Sequence, residues 1–436
     1  MSPRDIWNRS TRYAKSADFD YLTDTGETPV YKPQEYADPP GRLGKASRDL
    51  LGAGSLVNVG LALSSIFVSL FFYVSSGSIT DMALFAFGSY GGLMAMSVVV
   101  AAAFPDTSPR RLFRVGVGLT ALFYLSLILL GKGATPLAFP LGLFSGSASG
   151  VYWFGVNTLI YDVVDTGERG QYYGANFALL HVANVVGPFG AGVLIATIGG
   201  VAGYFAVFAA STVAFATAFV VSRRLADTAG VGGVPIREAL RLPFVSPEWG
   251  RMWTVVALRG FKQSAGSLGL IILVALTTKS STVQGEFAAA TALAAVGTSI
   301  LAGKVSPDHR GRVMWAGAGA FVLSTGLLLH SGLTAILTYG VVTGLVYPAV
   351  MVPVSSVVLE AMDIDPNAAE RRGGYVLSRE IAVNVGRLLA IGLLLTLLHF
   401  EAARAAVLVT IGSAAVLQLA VAGLSARTSV RARAYS

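Results

Sequence analysis

Two otherwise apolar stretches of this chain contain ionisable residues: Arg259 and Lys262 in one, and Arg379, Glu380 and Arg387 in the other. A charge within hydrocarbon is costly, so such residues usually face a water-filled cavity or a partner and mark the path of a solute or an ion. At about 1.5 Å per residue, Lys262 lies about 15 Å and Arg387 about 20 Å from the start of its stretch, near the middle of a hydrocarbon core roughly 30 Å thick. Neither can readily reach an interface. Glu380 adjoins Arg379, and adjacent residues diverge by about 100° around a helix, so Glu380 is expected to pair elsewhere. Lys262 and Arg387 then wait for an anion, and Arg259 stands beside them. The chemistry this fits is recognition of an anionic solute, or of an amphiphile with an anionic head; neutralisation by Glu380, Glu360 or backbone carbonyls is the structural alternative. Proton traffic has two candidates, Glu380 and His181, since an imidazole exchanges a proton near neutral pH. A lone histidine equally suits simple packing.

The elements that must hold these groups are a series of apolar spans. Hydrophobic residues make up 54% of the chain and charged residues 13%, against roughly 25% charged in ordinary soluble proteins. Spans of about 20 residues or more fall near 50–76, 81–104, 113–131, 136–162, 171–199 and 201–222, then near 252–278, 283–303, 313–332, 334–361, 374–398 and 402–425. The gaps between them alternate strictly between basic and nearly free of Lys and Arg. By the bias of Lys and Arg toward the inner side, both termini are expected in the cytoplasm and the protein in the cell membrane. This predicts an all-α, polytopic membrane protein with a cytoplasmic tail over 1–49, a six-helix bundle over 50–222, a basic linker over 223–251, a second bundle over 252–425 and a short tail over 426–436. The polar start, with Pro33, Pro39 and Pro40, lacks the apolar run of a secretory signal.

The same features narrow the chemistry. The chain has no Cys, which removes disulfides and thiolate metal sites. It has no His-x-x-x-His pair and no Gly-rich loop ending in Lys, so metal hydrolysis and direct ATP coupling find no residues to carry them. No enzyme activity and no cofactor are expected. The pI near 9.6 reflects loop charge bias, not nucleic-acid binding.

The two halves repeat at an offset near 200 residues. Asp106 before Arg110 and Arg111 matches Asp308 before Arg310 and Arg312; Gly116 and Gly118 match Gly317 and Gly319. Gly142 and Gly146 match Gly340 and Gly344, Glu168 and Arg169 match Glu370 and Arg371, and Asn184 matches Asn384. Shared order and spacing imply a duplicated six-helix unit. The positions equivalent to Arg259, Lys262 and Arg387, near Val59, Ala62 and Gly187, carry no charge. Cations needed only to build the scaffold would be needed twice.

With these landmarks the chain resembles the major facilitator superfamily from about residue 50 to residue 425. The loop motif of that family appears degenerately as Asp106-Thr-Ser-Pro109-Arg110-Arg111 and more closely as Asp308-His-Arg-Gly311-Arg312. A motif of the fifth span is met by Gly174, Ala183, Gly187, Pro188, Ala191 and Gly192. The Arg-x-x-Gln-Gly pattern of many proton-coupled exporters is absent from the fourth span, which has no basic residue between Leu141 and Tyr161. The resemblance implies two bundles that rock about a midplane site, with the first, fourth, seventh and tenth spans lining it. Tyr152, Asn157 and Tyr347 would then join Lys262, Arg387 and Arg259 at the substrate. Asp106, Arg110, Arg111, Asp308, Arg312, Gly187 and Pro188 would control gating, with Asp106 latched to Arg110 or Arg111.

The sequence therefore predicts a monomeric secondary transporter of a small organic or amphiphilic anion, set among membrane lipid, with a proton as the candidate coupling ion. Export is favoured over uptake because the fifth-span motif resembles that of antiporters. The alternatives are an uptake permease for an organic solute or cation, and a membrane sensor or scaffold that transports nothing.

Overall fold

The computed structural model describes residues 43–164, 169–228, 236–278, 280–303, 309–363, 365 and 368–435. The expected N-terminal tail, up to residue 42, and Asp308 lie outside them. The helices are α1 (Lys45–Ser76), α2 (Ile79–Ala103), α3 (Pro109–Leu130), α4 (Ala138–Val163), α5 (Arg169–Ile198), α6 (Gly200–Val221) and a short α7 (Ile236–Val245). They continue as α8 (Pro247–Thr278), α9 (Ser281–Gly303), α10 (Arg310–Thr325), α11 (Leu333–Asp363), α12 (Ala368–Phe400) and α13 (Ala403–Tyr435). No strand occurs among the described residues. Ten apolar segments among them are long enough to cross a membrane, one of which, Pro109–Ile160, holds both α3 and α4. Large apolar side chains such as Leu129, Val186 and Leu323 lie on the outside, as lipid-facing positions do. The fold is that of an all-α polytopic membrane protein.

Local chemistry fixes where the helices turn. Ser108 caps α3 by accepting from the Arg111 N–H, and Pro109 opens the first turn, where a missing N–H costs nothing. The Asp106-Thr-Ser-Pro sequence is thus a helix start as well as a charged loop. Between α5 and α6 the chain reverses through Gly199 and Gly200, whose φ values of 79° and 55° lie where side chains are strained.

Packing repeats across the two halves. α1 packs on α5 and α6 as α8 packs on α12 and α13; α2 packs on α4 as α9 packs on α11; α3 packs on α4 and α6 as α10 packs on α11 and α13. The halves meet through α5 against α9 and α2 against α12, two contacts that exchange under the same repeat. We call the face where α1 begins the terminal face and its opposite the distal face. At the distal face Tyr204 hydrogen-bonds Ser281 at 3.0 Å, and Ile79, Met82 and Ala83 of α2 join a core cluster with Ile272 and Leu394 of the other half.

Glycines set the closest crossings. A Cβ on Gly142 or Gly146 of α4 would overlap the carbonyl oxygen of Phe85 or Ser89 of α2. The same holds for Gly386 of α12 against the Ala257 oxygen and for Gly260 of α8 against the Val383 oxygen. In the first half, Gly187 of α5 lies against Ala62 of α1, and the Pro188 oxygen seats against Gly285 of α9. Gly187-Pro188 is therefore a close-approach element within one half and between halves, and α5 continues through Pro188.

The stretch expected as a soluble linker is more structured than its charge implies. α8 starts at Pro247 because its first turn is packed: Trp249 is fully buried, donates to the Ser378 hydroxyl at 3.1 Å and meets Tyr375 edge-on at 4.8 Å. Before it, α7 docks on α12 through buried Ala239 and Leu242 and through a Glu238–Arg371 ion pair of 3.1 Å. Arg371 also binds Asp365 at 3.3 Å.

Candidate functional site

The α8–α12 crossing brings the intramembrane cations together. Glycines at 260 and 386 let the backbones approach, and the residues one and three positions beyond them, Arg387 and Gln263, then meet across the gap. The Arg387 guanidinium donates to Gln263 Oε1 and to Asn384 Oδ1, each at 2.9 Å. It also lies 5.0 Å from the ring centre of Tyr90, on α2 of the other half. Its Nε is buried and finds no acceptor among the described residues. All of these partners are neutral, so the guanidinium is oriented without being discharged.

Lys262 is only 8% exposed and makes no hydrogen bond or ion pair among the described residues. Its Nζ lies over two rings, 4.3 Å from the centre of Phe321 on α10 and 4.5 Å from that of Tyr347 on α11. Cation–π contacts supply about 2 kcal/mol each when desolvated, which offsets part of the cost of burial and leaves the net charge in place. Arg259 is within coulombic reach of Lys262, Tyr347, Arg379, Arg387 and Glu380. Its Nε too is buried without an acceptor among the described residues. The geometry therefore places Arg259 near three other cations and one carboxylate, Glu380.

That carboxylate is engaged, and not as the sequence predicts. Arg379 donates to Glu380 Oε1 at 3.0 Å, although helix geometry turns neighbouring side chains apart. Both side chains are long and partly exposed, 45% and 28%, so no packing prevents their ends from swinging together. Lys262, Arg259 and Arg387 remain without a carboxylate partner among the described residues.

The other expected site residues are placed elsewhere. Tyr152 is buried in the core of the first half, 5.2 Å from the Phe113 ring and against Gly116 of α3; Asn157 is exposed further along α4. His181 is half-buried on α5 and contacts none of the cations among the described residues. At the terminal face the latch partner differs from the expected one. Arg110 binds Asp227 at 3.0 Å and the Leu225 carbonyl at 3.1 Å, because α3 runs beside the segment that follows α6. Asp106 is exposed and makes no ion pair among the described residues, and Arg111 and Arg312 are exposed.

Sequence reasoning missed the neutral partners Gln263, Tyr90 and Phe321, and used Asn384 only as a repeat landmark. Gln263 had one signal, a polar amide beside Lys262 in an apolar stretch. Tyr90 and Phe321 had none, since aromatic residues are common in such spans.

Comparison with known proteins fits this architecture. The sequence profile of the Major Facilitator Superfamily matches residues 50–390, and the chain belongs to that family. YqgE of Bacillus subtilis (strain 168) is 26% identical over 348 residues, covering 78% of this chain and 80% of that protein. A bacterial homologue of the human lysosomal transporter Spinster, solved inward-facing and unoccupied, superposes with a TM-score of 0.64 at 14% identity, over 89% of this chain and 97% of that one. The peptide transporter POT in complex with sulfate gives 0.65 at 13% identity, over 89% and 95%. At such identities the likeness is one of fold. Family and fold together make this a secondary transporter, a multi-pass protein of a membrane.

Proposed function

We propose that the protein carries small organic anions, or amphiphiles with an anionic head, by alternating access, and that Lys262, Arg387 and Arg259 bind the anionic group with Tyr347 beside it. One observation carries this reading: buried Lys262, half-buried Arg387 held by neutral amides and a ring, and half-buried Arg259 beside them have no carboxylate ion pair among the described residues. An arriving anion supplies the missing charge, and its attraction to cations already held in place offsets its own desolvation. Tyr152, packed in the core, acts at most through α4, and Asn157 lines the approach on the same helix.

The terminal face is read as cytoplasmic, with both ends of the chain on that side of the cell membrane, from the loop charge bias. Gly187 and Pro188, where α5 meets α1 and α9, form the pivot between halves; Asp106, Arg110, Arg111 and Arg312 form the charged rim that moves with it. Glu380 is favoured over His181 as the proton carrier, because it adjoins the cations. Export in exchange for protons remains the favoured direction, on the fifth-span motif.

Proteoliposomes test the proposal with a panel of radiolabelled aromatic and aliphatic carboxylates, sulfonates and organic cations. Anions are expected to move and cations not, and Lys262→Met and Arg387→Gln are each expected to abolish movement at anion concentrations that half-saturate the wild type, while extraction yield and elution profile stay unchanged. Transport of the same anions by both variants at the wild-type rate would remove the site. Because the chain has no Cys, single cysteines in the two end segments report sidedness directly by impermeant labelling.

A further inference from the structure

Away from the cations, α7, α8 and α12 enclose an apolar groove of about 400 Å³, lined by Leu240, Pro243 and Phe244, by Trp253 and Thr254, and by Ser378. That volume lies in the range of clefts that hold small ligands. Ser378 precedes Arg387 by nine residues, and Thr254 precedes Gln263 by nine. Nine residues at about 100° each is a half-turn offset. Nine residues is also about 13 Å along a helix, so the groove lies at the terminal end of α8 and α12, away from the cation cluster.

Its position and charge define what fits. α7 lies where α8 enters the apolar layer, and it leaves Leu240, Phe244 and Val245 exposed at 50%, 88% and 67%. Arg237 and Arg241 are exposed beside them, and Arg237, Leu240, Arg241 and Phe244 share one face at helical spacing. The acid of this helix, Glu238, is turned to Arg371, so it does not cancel the arginines. An apolar strip with arginines on its margin, lying at the end of a span, is the pattern of a helix in the membrane interface. We infer that the groove holds an acyl chain of an anionic phospholipid whose phosphate is bound by Arg237 and Arg241. Bound there, the lipid would brace α7, the element joining the two halves, against α8 and α12.

Native mass spectrometry of the full chain, extracted and supplemented with equal phosphatidylglycerol and phosphatidylcholine of matched chains, tests this. The expected result is at least fivefold retention of phosphatidylglycerol over phosphatidylcholine, falling to parity in an Arg237→Gln, Arg241→Gln double variant. Equal retention by the wild type, or an unchanged preference in the double variant, overturns the inference. Soluble glycerol phosphate that displaces the lipid at millimolar concentration also overturns it, by showing a phosphate site with no use for the chain. Bromine-labelled acyl chains give a second reading without filling the groove: phosphatidylglycerol carrying them is expected to quench wild-type fluorescence more than that of Trp253→Phe. Equal quenching would place the chain elsewhere.

Discussion

Replacing Lys262 with Met removes the charge and keeps most of the stem volume, so two quantities that usually fall together should separate. Burying an ammonium costs several kcal/mol after relaxation. Two ring contacts at 4.3 and 4.5 Å return about 2 kcal/mol each, and Met keeps dispersion contact with both rings. The terms nearly cancel, and the melting temperature is expected within about 3 °C of wild type. Binding has no such cancellation. A cation about 4 Å from an anion at an effective dielectric near 20 contributes about 4 kcal/mol, so half-saturation should rise by about 10³-fold. The assay pairs a thermal unfolding scan with anion uptake in proteoliposomes over a wide concentration range. Wild-type uptake would refute the role given to Lys262. A fall of about 8 °C or more would show instead that the ammonium is a structural strut.

Gln263→Leu takes one of two amide acceptors from Arg387, and a hydrogen bond to a charged group contributes about 1.5–3 kcal/mol; anion half-saturation should rise about 10- to 100-fold while the maximal rate changes little, as uptake kinetics will show. Gly386→Leu drives a side chain into the Ala257 carbonyl across the α8–α12 crossing and should cost about 1–3 kcal/mol or more, read as a lower unfolding temperature. Gly266→Ala, facing open space on the same helix as Gly260, should instead gain about 0.5–1 kcal/mol from backbone restriction, seen as a small rise in the same scan. Asp227→Asn breaks an ion pair whose side chains are 48% and 28% exposed; screened by solvent it should change stability by under about 1 kcal/mol, and a larger fall would mean that the Arg110 contact is a true latch.

The sequence was most legible where hydrocarbon imposes the rule. A span must satisfy its backbone internally, so apolar length alone located the twelve long helices among the described residues, and the repeat offset anticipated a duplicated six-helix unit. Charge in an apolar span was equally legible, because its cost makes it rare: Arg259, Lys262 and Arg387 do come together. Pairing was not. Arg379 bonds its immediate neighbour and Arg110 bonds Asp227, since flexible side-chain ends choose partners from what lies within reach in space, while helix phase describes only where Cβ points. Nor was α7 visible beneath the charge of its segment. Ile236, Ala239 and Leu242 face inward at helical spacing, but ten residues make a short signal amid arginines, and the face that packs is defined by α12, far along the chain.

The strongest reason to give the cations a recognition role is that the protein contains its own comparison. α1 crosses α5 with Gly187 against Ala62, and α8 crosses α12 with Gly386 against Ala257 and Gly260 against Val383. Both crossings are built by small residues meeting backbone, and the first is complete without any charge at the positions matching Arg259, Lys262 and Arg387. The cations therefore add nothing that the crossing requires and impose a desolvation cost that the first half avoids. A cost carried by one half of a duplicated fold and not by the other is explained by something outside the fold. The proposed anion, bound between the halves against cations on α8 and α12, would supply that explanation: because Arg387 already rests on Tyr90 of α2 at 5.0 Å, its arrival would alter a contact between the halves, and binding can bias their relative tilt only through such a difference.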